Sequence, residues 1–564
     1  MAPAVRTSKR KADAVDASKP EEKPTTANTS APRKGRKIAT AKPTTKAAAT
    51  AKTSKKPVAA EKAKAKTAEK IAPAAKPKKA VAEKKEPKKA ATPPPASSFN
   101  ASQSFSSEVA DASQTIPRKK GRTEPPVGPV INSLPTTKLN VYAFGTGDNA
   151  ELGLGPEPNA KVVKRPRLNT FLLPDKVGVV AVAIGGMHGL ALTHEGKVYS
   201  WGVNDQYALG RETKVAPREK LAEGSDDSDE DDEPLNALES TPMPVEGFPE
   251  GTVITRIAAG DSVSVAVTEQ GRVYAWGTFR CADGILGFTA KVRVQPRPIL
   301  MQTIKNIVDI SVGNDHVLAL SAEGSVYAWG NGQQFQLGRR VVERTRMNGL
   351  IPREFGLPRK KVKYVSTGSY HSFAITKDGR VWAWGLNQFG QCGIFDPAKA
   401  GEDSTVIPVP TVVEYLAKYD IVQIAAGEHH SAAITADGDL LMWGRIDAHQ
   451  LGVDISTLPA VDVISDIAGN PRYLARPHTI TDRKFSYIGC GTHHNIAIAT
   501  DGTAWTWGFG DSYQTGHGPP SEDVEFPRKI ENTATKDIKM LFADAGGQFS
   551  VLAGLPVPQT NGSN

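Results

Sequence analysis

Six short stretches of the chain carry acidic or imidazole side chains just after a glycine, at the head of an apolar strand: GMHGLALT, GDSVSVAVT, GNDHVLALS, GSYHSFAIT, GEHHSAAIT and GTHHNIAIAT. The residues concerned are His188, Asp261, Asp315 with His316, His371, His429 with His430, and His493 with His494. These types can move protons, hold a metal or recognise charge. A ring of them taken from separate repeats is too broad for a tetrahedral metal centre. No Ser or Cys stands beside a His in a nucleophile motif. Charge recognition without covalent chemistry remains, with no metal and no cofactor. Some of these side chains, His316 and His430 among them, are expected to serve only their own turns.

Each stretch belongs to a larger unit. After the Gly-led strand comes a turn such as EGK, QGR or KDGR, of the kind that joins hairpin strands. An alternating strand follows and ends in an aromatic–Gly pair: Phe144-Gly145, Trp201-Gly202, Trp276-Gly277, Trp329-Gly330, Trp384-Gly385, Trp443-Gly444 and Trp507-Gly508. Successive pairs lie 57, 75, 53, 55, 59 and 64 residues apart. About four short strands fit each period. Hairpin-joined strands at such spacing predict an all-β fold, a seven-bladed β-propeller over residues 138–555.

Closure is legible too. The first aromatic–Gly strand, VYAFG, has no Gly-led strand before it, and the last Gly-led strand, AGGQFSVLAGL, has no aromatic–Gly strand after it. Each is half a repeat, so the two ends predict one composite closing blade that hides both edges.

One repeat differs. In six of them a second Gly follows the aromatic–Gly pair by eight positions, but from Gly277 to Gly287 the gap is ten. The longer segment runs Phe279, Arg280, Cys281, Ala282, Asp283, Gly284, Ile285, Leu286. Two loops also stand out: the acidic insertion 224–233, GSDDSDEDDE, read as solvated, and the basic loop 339–361.

Charge divides the chain. Residues 1–130 hold 30 Lys/Arg and 11 Asp/Glu, leaving 40 and 49 for the rest, so a tail of net +19 precedes a body of net −9. The tail is rich in Lys, Ala, Pro, Thr and Ser and cannot bury enough apolar surface to offset its ordering entropy; it is expected to be disordered. Its charge predicts salt-dependent, sequence-independent DNA binding. The clusters Lys9-Arg10-Lys11, Arg33-Lys34-Gly35-Arg36-Lys37 and Arg118-Lys119-Lys120-Gly121-Arg122 resemble nuclear-import signals for an import receptor. Residues 556–564 read as a flexible C-terminus. The three cysteines fit a reducing compartment. No signal peptide or run of eighteen apolar residues is seen, so no membrane partner is expected. The expectation is a nuclear, chromatin-associated monomer.

The repeated pattern V-Y-x-W-G-x-N-x-x-x-Q-L-G resembles that of the regulator of chromosome condensation family, over residues 138 to 555. The segment Phe279–Leu286 is similar to the β-wedge of the family's founding member, a nucleotide exchange factor for the small GTPase Ran, in which a protruding hairpin pushes into the GTPase. The resemblance implies GTPase contacts at Asp261, Asp315 and His429, with further contacts at Asp148 in GTGDNAELG and Arg339 in QLGRR. It implies histone contacts in the basic loop, for which Arg340, Arg344 and Arg346 are candidates, and DNA contacts in the tail. The last blade departs from the pattern, with Phe549 where a His is often found.

Fold alone does not settle function. A chromatin scaffold without exchange activity, an enzyme using the His ring, and the light-sensing branch of the family stay as alternatives. The single longer turn favours exchange, and the placement of all eight tryptophans in repeat strands disfavours light sensing.

Overall fold

A computed structural model describes residues 128–214, 233–395 and 405–556. All of them fall in one compact unit. The expectations for the basic tail and its three clusters, for the acidic insertion short of Glu233, and for the C-terminus after Leu555-Pro556 lie outside those residues.

The described strands form seven blades and one separate hairpin, a seven-bladed β-propeller. Blade 1 runs Val179–Ile184, His188–Thr193, Val198–Gly202 and Met243–Pro244. Blade 2 runs Ile254–Ala259, Val263–Thr268, Val273–Gly277 and Gln295–Leu300. Blades 3 to 6 repeat the plan, with inner strands Ile307–Val312, Val362–Thr367, Ile421–Ala426 and Phe485–Cys490. Blade 5 adds a fifth, outermost strand, Val463–Ser465.

Blade 7 is the composite. Met540–Ala545 and Phe549–Gly554 from the end of the chain pair with Asn140–Thr146 and Val162–Leu168 from its start. The seam has the register of an ordinary blade. In every blade the first residue of the second strand faces the Gly that ends the third: His188 and Gly202, Val263 and Gly277, His316 and Gly330, His371 and Gly385, His430 and Gly444, His494 and Gly508. Across the seam, Phe549 faces Gly145 in the same way.

That register explains the glycine. Gly277 has φ +90°, and a Cβ there would stand 2.1 Å from the Ser262 carbonyl oxygen. No side chain fits such an approach.

The second strands are buried at every residue, because each is flanked by the sheets of both neighbouring blades. Six tryptophans of the aromatic–Gly pairs are fully buried at the blade contacts. Trp276 reaches back one blade to donate its indole N–H to the Ala208 carbonyl at 2.7 Å, and Trp384, Trp443 and Trp507 do the same to the carbonyls of Gln336, Gln391 and Gln450 at 2.9, 2.9 and 3.0 Å. The Q-L-G part of the repeat thus supplies the acceptor that the next blade's Trp requires. This is why the two motifs recur together.

The inner strands line a central channel of about 340 Å³. Small residues do face it, Ala258, Ser311, Ser366, Ala425 and Gly489 among them. Larger side chains line it as well, among them Tyr364, Gln423, Tyr487 and the acidic Asp544. Asp544 accepts the Ile184 N–H at 2.9 Å, tying the composite blade to blade 1, and burial pushes its carboxyl up to about 6.

Candidate functional site

The Gly-led stretches build one face of the ring. In all seven, the glycine N–H bonds the carbonyl three residues on, from Gly185 to His188 through Gly546 to Phe549, at 2.8–3.0 Å. The two residues between project at the turn. Adjacent turns are also bonded: Asp261 N–H to Asn314 at 2.9 Å, Asn314 N–H to Ser369 at 3.3 Å, Ser369 N–H to Gly427 at 3.1 Å. The face is therefore a ring of backbone-locked turns, rigid before any partner arrives.

This geometry divides the predicted residues into two sets. Asp261, Asp315, His429 and His493 sit within the turns. His188, His316, His371, His430 and His494 come one place later, head the second strands and are fully buried. The expectation that His188, His371 and His494 line the face is corrected, as is the expectation that His316 and His430 serve only their own turns: period-two alternation turns all five inward. Each reaches the next blade. The Nε2 atoms of His188, His316, His371 and His494 lie 2.8 Å from Ser264, Ser372, Ser431 and Ser550, and that of His430 lies 2.9 Å from Asn495 Oδ1.

Ser264, Ser431 and Ser550 spend their own protons on backbone carbonyls at 2.8 Å, so the histidine Nε2–H must be the donor. Burial pushes His188 down to about 4, His316 and His494 to about 3, and His371 well below its usual value. These are neutral staples between blades. Where a blade lacks the His, the following blade lacks the Ser: Val263 is followed by Val317, and Phe549 by Gly189. The departure at Phe549 therefore concerns the staple. The face of blade 7 presents Gln548 instead.

On the face, Asp315 is only 8% exposed. Its Oδ1 accepts the Arg280 N–H at 2.5 Å. Burial pushes its carboxyl up to about 7, partly offset by that bond and by the Arg280 charge, with Asp261 pushing the same way as burial. Asp261 is raised for the same first reason, against the opposing pull of Arg280. Two crowded carboxyls with raised affinity for protons are primed for a cationic partner.

Across the channel lies a second cluster. The His429 ring stacks edge-on against Phe389, centroids 4.8 Å apart, and its Nε2 is 3.0 Å from Gln388. Glu428 lies 3.6 Å from His429 and 3.5 Å from His493, and the contact with His429 lowers its pKa. Arg445 and Arg472 each hold a guanidinium 5.0 Å from the Phe389 ring. The sequence reading missed Glu428, Phe389 and Arg445. Glu428 occupies the same turn position as Asp261, and aligning the seven turns on their glycines finds it.

Asp148 is exposed and borders an acidic recess with Asp205, Glu239 and Met187. Arg339 lies half-buried on the loop that follows the third strand of blade 3. Its Nη2 turns back on its own loop, toward the carbonyls of Asn348, Gly349 and Ile351 at 3.4, 3.4 and 3.2 Å. It caps the 3₁₀ segment Glu343–Leu350. Arg340 and Arg344 are exposed, but Arg346 points to Asp283 and Glu343.

The longer turn after Gly277 is a hairpin with its own two-stranded sheet, Phe279–Cys281 against Gly284–Gly287. Phe279 and Leu286 root it in the core, beside Phe288 and Leu350. Arg280, Ala282 and Asp283 are exposed, with Cys281, Gly284 and Ile285 half-buried between root and tip. The hairpin leaves the blade where the Thr278 N–H bonds the Ser262 carbonyl at 2.8 Å, next to Asp261.

Residues 140–552 match the model of the RCC1-like domain. The chain belongs to the RCC1-like family. Among its relatives, the guanine nucleotide exchange factor SRM1 of Saccharomyces cerevisiae is 46% identical over 427 residues, covering 74% of this chain and 87% of that protein. The crystal structure of Prp20p from the same yeast, a protein studied for binding to Gsp1p and histones, superposes with a TM-score of 0.69 at 43% identity, covering 76% of this chain and 93% of that one. Yeast RCC1 (Prp20) bound to Kap60 gives a TM-score of 0.69 at 42% identity, covering 79% of this RCC1-like chain and 97% of the yeast chain.

Proposed function

We propose that this RCC1-like chain is a guanine nucleotide exchange factor for the small GTPase Ran, acting on chromatin by stabilising the nucleotide-free GTPase. The observation that carries the reading is the hairpin Phe279–Gly287, raised beside the carboxyls of Asp261 and Asp315 on a face of locked turns. A relative 46% identical being an exchange factor supports it.

The mechanism is linkage. A protein that binds the empty GTPase more tightly than the loaded one weakens nucleotide binding by the same factor. The hairpin competes for the space around the bound phosphates. Asp261, Asp315 and the Glu428–His429 pair attract basic groups of the GTPase and hold it once the nucleotide leaves. Asp148 extends the contact toward blade 7. The direction of exchange then follows the cellular excess of GTP. No bond is made or broken by the chain, and no cofactor is required.

The tail carries the factor to its site. Its basic clusters suit an import receptor, and its charge suits DNA. Arg340 and Arg344, exposed on the basic loop, suit the carboxylates of a histone surface, since the planar guanidinium binds carboxylate in a bidentate way. The working form is a monomer in the nucleus.

The test is release of a fluorescent GDP from Ran with catalytic amounts of the chain. Wild type speeds release by orders of magnitude, whereas Asp261→Ala and a variant with the hairpin shortened by two residues lose most of that. Release at the intrinsic rate with wild-type chain rejects exchange and leaves a chromatin scaffold.

A further inference from the structure

We infer that Arg346, on the loop between the third and fourth strands of blade 3, is a positioning residue for the exchange hairpin: it holds the hairpin tip through Asp283. The inference rests on the exchange reading and assigns the basic loop a second task at the same site.

Four contacts converge on the hairpin from outside its own blade. At the root, Asp315 Oδ1 accepts the Arg280 N–H. On one flank, Gln333 Oε1 accepts the Ala282 N–H at 3.1 Å. At the tip, the Arg346 guanidinium bonds the Asp283 carboxylate while its Nη1 also bonds Glu343 Oε1 at 2.8 Å. Underneath, Leu350 and Met347 of the same loop pack into the cluster that holds Phe279 and Leu286. A two-stranded hairpin is marginal in isolation. These contacts compensate, and all four come from blade 3 and its loop.

The loop is itself fixed. Arg339 caps Glu343–Leu350, so the backbone that carries Arg346 does not depend on the hairpin for its shape. Glu343, three residues before Arg346, holds the guanidinium on the side facing Asp283. Arg340 and Arg344 are left outward on the same loop. One short segment thus offers arginines to two targets, its own hairpin and an outside carboxylate.

A pair of exposed charges changes a rate only modestly, so the test uses charge exchange. Arg346→Asp and Asp283→Arg are each expected to lower the maximal rate of GDP release about fivefold, the upper range for an exposed ion pair. The GTPase concentration giving half-maximal rate should stay near wild type. The double variant Arg346→Asp/Asp283→Arg restores most of the rate, which a direct Arg346 contact with the GTPase or a general loss of folding does not do. Wild-type rates in both single variants, or a double variant no better than either single one, overturn the inference.

A second readout needs no GTPase. Backbone amide exchange of residues 279–287 quickens in Arg346→Asp and returns to normal in the double variant, with the rest of the propeller unchanged. Unchanged protection in Arg346→Asp overturns the inference even for a chain that proves to have no exchange activity. Absence of GDP release with wild type, beside altered protection in the variant, rejects the functional reading alone.

Discussion

The carboxylate of Asp315 accepts the backbone N–H of Arg280 at 2.5 Å, joining a turn of blade 3 to the root of a hairpin from blade 2. One residue therefore does two jobs: it fixes the hairpin and presents negative charge. Asp315→Asn keeps an acceptor for that N–H and loses the charge, whereas Asp315→Ala loses both. A hydrogen bond to a charged group contributes about 1.5–3 kcal/mol. GDP release should fall about tenfold or more in Asp315→Ala and less in Asp315→Asn, read from initial rates at one GTPase concentration.

The raised proton affinity of Asp315 has a thermodynamic signature. With its pKa pushed up to about 7, the carboxyl is partly protonated in the free protein near neutral pH. On the proposed reading a cationic GTPase group docks here, and such a group favours the ionised form. Binding should therefore release protons near pH 7. Calorimetry of the nucleotide-free GTPase in buffers of different ionisation heat measures this, and Asp315→Asn should remove most of the release.

Asp544 makes a stability prediction independent of function. Its folded pKa of about 6 exceeds the ordinary value of 3.8, so the folded state binds the proton more tightly than the unfolded chain. The associated stability is fully present below about pH 4 and is lost as pH rises through about 6, amounting to roughly 2–3 kcal/mol. Asp544→Asn keeps an acceptor for Ile184 N–H without the ionisation. Its melting temperature should gain on wild type between pH 5 and 7.5, and parallel pH profiles would contradict the assignment.

The histidine staples predict loss of stability without loss of function. His371→Val removes a buried bond to Ser431 and should cost about 2–4 kcal/mol in urea unfolding. Adding Ser431→Val reproduces the Val263 and Val317 pairing found two blades earlier and should recover part of that. GDP release by the folded fraction should remain near wild type, since the side chain is fully buried away from the face.

On the proposed reading, the outward arginines allow chromatin binding to be separated from exchange. Arg340→Glu with Arg344→Glu should weaken pull-down of nucleosomes while leaving GDP release from free Ran unchanged. Full retention on nucleosomes assigns the contact elsewhere.

Blade number, the seam between the chain ends and the extra hairpin could all be read from the sequence because each is a local regularity or a local exception to one. The Trp201-Gly202 type of pair marks strand ends, and the ten-residue gap after Gly277 marks added backbone. Tertiary structure decided what local pattern does not carry. His429 and His430 are adjacent and chemically identical, yet one lies at the face and the other is stapled to Asn495, because alternation along a strand reverses the side at every residue. Arg339 and Arg346 were equal members of a basic loop until packing chose their partners, a set of nearby carbonyls for one and Asp283, 63 positions away, for the other. Side-chain type states which bonds are possible; only the approach of distant chain segments selects among them.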